Sequence, residues 1–503
     1  MKLGRNLLAG LTNSVWSALI GLAVVPLYLK YLGIEAYGLI GFFATTQAIL
    51  SLLDLGLAPT INREVARGSA SGDMREARNL LHTLAVVYGV MAGMIALLVV
   101  MLAPFIANHW LQSHNISPDT LARAMMLMGM VVACRWPISL YMGALMGMQR
   151  LVVSSTVSII MTTFGSLGAV AILAYVSPTI DAFFIWQAGV ALLYVAVIRL
   201  VTWGVLGRED VGKFDFNGLK RIWRFSAGMS GVAISGVILM QLDKVLLSRL
   251  LSLEDFGRYT LAGVVASGLY VLLTPLFNAL FPRMSALVAS GDTEKLIHLY
   301  RTGTRLFLAL FLPIAITAAV FAKYLLYLWT SNEQLAISSA PIVSLFLIGT
   351  ALNGIMHFPY ALQLAYGATR LPLTINAILI IVMVPMIIIL TRTYGAVGGA
   401  SAWALLNGLY IFLGTWLTHR TLLNGTGIKW LFGDVALPLG MAVLVAGVGG
   451  ELAKNSGYPD YAKLLMGLGL TFVAFIFTVL FSPQLRSAIT NTVSIEKNNK
   501  FSI

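Results

Sequence analysis

Charge is what this sequence has least of. Only 11% of its 503 residues are Asp, Glu, Lys or Arg, against 58% that are hydrophobic, whereas a soluble domain carries about a quarter charged residues. That shortage excludes a soluble globular fold, because too few polar residues exist to wet its surface. Cysteine is nearly absent as well: Cys134 is the single one, so an intramolecular disulfide is impossible, and a small apolar packing residue is its simplest reading. No P-loop is present, hence no ATPase motif. Six scattered histidines give no zinc spacing, and no serine sits in a G-x-S-x-G elbow. Every external connection is short, which leaves no loop to house catalytic groups. Neither an enzyme nor a bound cofactor is expected. The net charge of +13 would suggest nucleic acid on a soluble chain. Here it reflects loops that collect Lys and Arg in any case, and no nucleic-acid partner is expected.

What the sequence has in abundance is long apolar runs. They fall at 7–29, 36–58, 80–107, 121–148, 151–176, 182–206, 225–249, 256–281, 303–329, 338–366, 371–394, 396–419, 433–452 and 461–482. A helix of about 20 apolar residues crosses the hydrocarbon core, so the expectation is an all-α polytopic membrane protein with about 14 transmembrane helices. The N-terminal run has the basic start of a signal peptide but continues to Leu29 without an A-x-A site, so it reads as a retained first span. With the N-terminus inside, about two-thirds of the Lys and Arg fall in cytoplasmic segments, chiefly Arg63–Arg78, Arg208–Arg224 and Arg283–Arg305. Both termini are therefore expected in the cytoplasm.

The chain also repeats itself. "YLGIEAYG" at 31–38 matches "LLSLEDFG" at 250–257, and "ASGD" at 70–73 matches "ASGD" at 289–292, both at an offset of 219; "GMQRL" at 147–151 meets "GATRL" at 367–371 at 220. Six spans separate equivalent points, so the copies keep one orientation. Such parallel repeats imply a pseudo-twofold axis along the membrane normal and a site between the halves. The expected organisation is an N-lobe at 1–206, a cytoplasmic linker at 207–224, a C-lobe at 225–420, a helix pair at 421–482 and a cytoplasmic tail at 483–503.

Four cations fall inside spans: Arg135, Arg199, Lys244 and Lys323. Arg199 and Lys323 lie near span ends, where long side chains snorkel to the interface. Arg135, in "MVVACRWPISLYM", is deepest. Burying it costs about 2.5–3.5 kcal/mol even on insertion scales, and Pro137 close by bends its helix. Arg135 is expected to face water, a carboxylate or an anionic cargo. Asp54, in "LLDLGLAP", is placed to pair with Arg63 or Arg135. Lys244 follows Asp243 in "MQLDKVLLSRL", with Arg249 further on. Adjacent helical residues point to different faces, so Asp243 and Lys244 are not expected to be simply a neutralised pair. His357 in "NGIMHFPY" reads either as a hydrogen-bonded structural residue or as a proton carrier.

These residues carry a resemblance. "PLYLKYLGIEAYGLIGFF" followed by "LLDLGLAPTINREVARG" resembles the opening of the polysaccharide transporter family, the repeat-unit flippases of O-antigen and related bacterial glycans. "LDKVLLSRLLSLEDFGRYTLA" resembles that family's second-lobe start, and "GALMGMQR" and "AYGATRLPLTINAI" its paired elements before the fifth and eleventh spans. The resemblance implies two six-helix lobes plus a C-terminal helix pair, a cationic central cavity and alternating access. The implied cargo is an undecaprenyl-diphosphate-linked oligosaccharide crossing the bacterial inner membrane. Implied partners are membrane lipids, a glycan polymerase and a chain-length regulator, with coupling to an ion or proton gradient left open. The related lipid II flippases carry arginines in the first span; this one has no cation between Arg5 and Lys30, so those sites do not transfer. Arg135, Lys244, Arg249, Asp54, Asp243, Arg63 and His357 are the cavity candidates. A cation-coupled multidrug exporter of the same fold is the competing reading, and a membrane glycan polymerase or ligase the competitor from another class. The topology is directly checkable: a reporter fused after Ile503 should be active only as a cytoplasmic marker, and periplasmic activity would overturn it.

Overall fold

The computed structural model describes residues 2–54, 56–207, 214, 216–482 and 485–486; the side chains of 2–4, 7, 217–219 and 221–233 are outside that description. The expected linker at 207–224 lies partly, and the expected tail at 483–503 almost wholly, outside the described residues. Hydrocarbon offers the backbone no hydrogen-bond partner, so spanning segments must satisfy themselves. Among the described residues the regular elements are accordingly helices, apart from one isolated bridge between Gln112 and Ser252. They run α1 Lys2–Leu50, a 3-10 turn Ser51–Asp54, α2 Leu57–Ser71, α3 Arg75–His109, α4 Pro118–Arg135, α5 Ile138–Gly147, α6 Leu151–Tyr175, α7 Ile180–Leu206, α8 Phe216–Leu250, α9 Leu253–Ser267 and α10 Tyr270–Ala289. Then follow α11 Thr293–Val320, α12 Ala322–Thr330, α13 Glu333–Ile355, α14 His357–Ala365, α15 Arg370–Leu422, α16 Gly427–Trp430, a π-helical turn Leu431–Ala436, α17 Leu437–Asn455 and α18 Asp460–Phe481.

All fourteen expected runs fall on helices, and 11 helical stretches among the described residues are long and apolar enough to cross a membrane. Two of these are helix pairs joined without a loop, through Gly33 (φ 81°, ψ 171°) and Gly395 (φ 60°, ψ −140°). Only glycine adopts such angles without a Cβ clash, so a single residue turns the chain. Side chains cap several helices at their loops: Ser117 accepts from the Thr120 N–H at 3.3 Å and Asn332 from that of Leu335 at 2.9 Å.

Several runs expected as single helices are interrupted. The second breaks at Ser51–Asp54, and the fourth between Arg135 and Ile138, where Pro137 has no N–H to continue the ladder. The tenth stops at Ile355, whose carbonyl would need the missing N–H of Pro359. These interruptions keep the repeat's register. Gly33 is matched 219 residues on by Ser252, in the gap between α8 and α9. Ser51, where α1 gives way to the 3-10 turn, is matched by Tyr270, the start of α10. Gly72 (φ 78°) is matched by Gly291 (φ 71°), and Ile138, the start of α5, by His357, the start of α14.

The chain divides into two compact units, Met1–Thr260 and Leu261–Ile503. In the first, α1 packs on α6, α3 on α4, α4 on α7 and α2 on α5; in the second, α13 packs on α11 and α15, and α17 on α11 and α18. The first unit also contains a contact between the two copies of the repeat. A Cβ added to Gly38 would lie 2.3 Å from the Leu253 carbonyl oxygen, and one added to Gly257 would lie 2.3 Å from that of Ile34. Gly38 and Gly257 are equivalent at the offset of 219, as are Ile34 and Leu253. The contact is therefore reciprocal, which is the signature of a local twofold relation. Beside it, residues 110–116 bind both sides: Glu35 accepts from the Ser113 hydroxyl (2.8 Å) and the His114 N–H (2.7 Å), while the Leu253 N–H donates to the Gln112 carbonyl (2.6 Å).

Backbone meeting backbone cannot yield as a flexible side chain does. Gly38→Val or Gly257→Val should lower the melting temperature of the purified protein or abolish folded yield, at a cost of about 1–3 kcal/mol or more. Gly21→Val, where nothing lies within 4 Å of an added Cβ, should change little. Equal melting temperatures for all three would show that the crossing is not packed in this way.

Candidate functional site

Arg135 is the last residue of α4, and the break before α5 leaves its side chain free of the helix that follows. Its Nη1 donates to Gln47 Oε1 at 3.2 Å and its Nη2 to Gln187 Oε1 at 2.8 Å, and the guanidinium lies over the Phe43 ring, 5.6 Å from the centroid. Arginine only donates, so both glutamines must turn their oxygens to it. Their amide nitrogens are thereby left as donors for whatever else fills the site. Two cavities meet at this side chain. One, of about 500 Å³, is lined by Gln47, Arg135, Ser139, Thr162, Ser166, Gln187 and Tyr194 among others; the second, of about 250 Å³, includes Gln47, Ser51, Asp54, Arg135 and Trp136. All lining residues come from the first unit.

Asp54 shares the smaller cavity with Arg135 without an ion pair between them. It closes the 3-10 turn, accepts a short hydrogen bond from the Tyr88 hydroxyl, and accepts from the Ala58 N–H at 3.3 Å. Both carboxylate oxygens are thus engaged on its own side of the cavity.

The remaining candidates lie elsewhere. Lys244 donates to the Met240 carbonyl (2.7 Å) and to Asp243 Oδ1 (3.2 Å). Asp243 is 1% exposed and also accepts from the Tyr259 hydroxyl at 2.7 Å. This corrects the expectation from helix geometry that the two neighbours are not simply a pair: the Cα–Cβ bonds diverge, but the long lysine stem folds back. Arg249 is exposed at the end of α8, its guanidinium 5.1 Å from the Trp110 ring centroid. Arg63 lies on α2, with Nε 3.8 Å from Glu64 Oε1. His357 belongs to the second unit, where its Nδ1 contacts the Asn353 carbonyl (3.2 Å) beside Tyr270 and Phe277. Arg199 and Lys323 are exposed.

Two polar sets had no signal in the sequence. Gln47, Gln187 and Tyr194 are isolated polar residues in apolar runs, and only the fold brings them to Arg135. Asp434, 0% exposed in the π-helical turn, binds Arg301 (Nε to Oδ2, 2.7 Å) and, more closely, Arg305, with Trp430 donating to Thr304 Oγ1 at 3.0 Å. This network ties the C-terminal helices to α11 over more than 120 residues of sequence.

The second repeat shows what the same positions look like without charge. Gln187 is matched 220 residues on by Asn407, and Cys134, beside Arg135, is matched 219 residues on by Asn353. Asn353 and Asn407 bond each other directly (Nδ2 to Oδ1, 2.8 Å), and Tyr270 donates to Asn353 at 3.1 Å. The Asp54–Tyr88 pair is replaced at 219 by Leu273 and Phe307, both buried.

A duplicated helical bundle with an arginine-lined cavity at membrane depth belongs to the class of membrane transporters. A family model described as "Polysaccharide biosynthesis protein" matches residues 3–288, over half the chain, and the MatE model matches 231–389. The chain belongs to the polysaccharide biosynthesis protein family, the polysaccharide transporters of the MOP superfamily. It is 23% identical over 414 residues to the uncharacterized membrane protein EpsK of Bacillus subtilis (strain 168), covering 75% of this chain and 77% of that one. Its fold is similar to that of the lipid II flippase MurJ in an inward closed conformation (TM-score 0.72, 14% identity, 95% of this chain and 99% of that one). It is also similar to an inward-facing multidrug resistance MATE family transporter (TM-score 0.65, 16% identity, 81% and 94%).

The Asp243–Lys244 pair separates two roles for the lysine. Asp243→Asn leaves Lys244 without its counter-charge and should destabilise the protein by about 3–5 kcal/mol. Adding Lys244→Met should restore most of that stability, read as a melting temperature. If the double variant also exports normally, the lysine serves the fold alone; if it is stable but inactive, the lysine serves transport.

Proposed function

We propose that the protein is a flippase that moves an undecaprenyl-diphosphate-linked oligosaccharide, such as an O-antigen or related repeat unit, from the cytoplasmic to the outer leaflet of a bacterial inner membrane. Residues 1–206 and 225–420 act as lobes that rock, with 421–482 as an attached helix pair and both termini in the cytoplasm. The observation that carries this reading is Arg135: its guanidinium is met by two neutral amides at a cavity, while the second repeat closes the corresponding junction with Asn353 and Asn407. The fold can therefore be built without the charge, and the charge is there for something else. A diphosphate entering low dielectric needs fixed cations, and a guanidinium fork matches phosphate oxygens better than an ammonium. Lys244 supplies a second cation when Asp243 releases it. The reciprocal Gly38–Gly257 crossing is one contact that rocking of the repeats has to break. Family membership and the fold shared with MurJ support the same reading. A glycan polymerase is the class of enzyme that consumes the product.

Arg135→Ala should abolish surface glycan while the protein remains in the membrane, with lipid-linked repeat units accumulating inside. A lost charge-assisted contact of about 1.5–3 kcal/mol corresponds to about 10- to 100-fold in cargo affinity. Arg135→Lys should keep part of the activity, since charge survives without the fork. A well-expressed Arg135→Ala protein that exports glycan at the normal rate would make Arg135 a structural residue.

A further inference from the structure

We infer that the cavity around Arg135 binds a small monovalent inorganic anion of the halide class, held by the guanidinium and by the amide N–H groups of Gln47 and Gln187. The argument begins with charge. Among the described residues no carboxylate lies within ion-pair distance of the guanidinium, whose protein partners are the two glutamine oxygens. A guanidinium removed from bulk water is stable only near a counter-charge or in a polar, wet space. Asp54 is the carboxylate on the same cavity wall, and Tyr88 and the Ala58 N–H hold both of its oxygens. The counter-charge of Arg135 must then be one that arrives from solution.

Size and donor chemistry agree with this. Spaces of about 250 and 500 Å³ admit an ion together with water, each water needing about 30 Å³. The wall offers donors to an anion: the arginine fork, the two amide nitrogens freed by the orientation of the glutamine oxygens, and the hydroxyls of Thr162 and Tyr194. The nearby Asp54 sets the valence, because its negative charge opposes a dianion more strongly than a monoanion. One fixed positive charge is balanced by one negative ion.

The inference concerns the same arginine as the flippase reading but stands on the cavity, and its test does not use export. Purified full-length protein in detergent is melted while sodium bromide replaces sodium gluconate at constant ionic strength. The melting temperature should rise saturably with bromide. Arg135→Gln should weaken the apparent affinity by about tenfold or more, and Asp54→Asn should strengthen it by about fivefold through loss of the opposing charge. Sodium sulfate should act only at higher concentration. A bromide dependence that is the same in Arg135→Gln, or sulfate acting at lower concentration than bromide, would overturn the proposal. Should Arg135→Gln not fold, anomalous scattering from bromide in crystals of the unaltered protein decides the matter: a peak beside the guanidinium supports the site, and its absence at saturating bromide removes it. Export is a separate readout: if Arg135→Ala stops glycan export and bromide does not bind, the flippase reading stands and the anion site falls.

Discussion

Hydrocarbon cannot hydrogen-bond a peptide group, and the rest of this structure follows from that. Unbroken helices meet the constraint along most of each span. Where a helix breaks inside the bundle, freed backbone groups and exposed turns need polar company, and the break makes room for it. The 3-10 turn Ser51–Asp54 and the α4–α5 break lie on helices that line one cavity. Part of the freed backbone is used at once: the Ala58 N–H is taken by Asp54, and the Trp136 carbonyl by the Ser139 hydroxyl at 3.1 Å. Break, cavity and cation therefore depend on one another. An unbroken α4–α5 helix would leave Arg135 against packed side chains or lipid, neither of which holds an unbalanced charge.

Duplication supplies an internal comparison that a single copy could not. Both repeats break at equivalent points, so the breaks belong to the architecture. Only the first carries Arg135, Asp54 and Tyr88 at them; the second has an Asn353–Asn407 bond and the apolar pair Leu273 and Phe307. Two amides that satisfy each other are a finished structural solution. An arginine held by two amides satisfies hydrogen bonding but not charge. The difference between the repeats is thus electrostatic, and it marks the first repeat as the one adapted to an anion.

Much of the fold was legible because its signals are local. Long apolar runs mark spans, and "YLGIEAYG" with "LLSLEDFG" set the register that the helix breaks keep. Arg135 was legible because a charge within an apolar run is conspicuous. Its setting was not: Gln47 and Gln187 are unremarkable residues 88 and 52 positions away in sequence, and nothing local marks an amide as an arginine's partner. The Lys244–Asp243 contact was missed for another reason. Helix geometry fixes where Cβ atoms point, yet four methylenes carry the ammonium back across one residue of rotation. Asp434 lay hidden because its partners, Arg301 and Arg305, read as ordinary cytoplasmic charges.

A count of cations in the spans overstates the positive charge this protein can present. Lys244 sits beside a nearly fully buried carboxylate, and seen from a few ångströms away that pair is a dipole whose field falls faster than a charge's. Its contribution to an anion depends on separating the two groups. Tyr259 eases that separation, because its hydroxyl continues to donate to Asp243 after the lysine leaves, so the carboxylate is not stranded without a partner. Arg135 needs no such release, since its partners are neutral. The two cations therefore differ in kind: Arg135 is available at all times, and Lys244 only when α8 and α9 rearrange around Asp243. An anionic cargo that meets Arg135 first and draws Lys244 away from Asp243 second would couple its own binding to movement where the second repeat begins, which is the coupling alternating access requires.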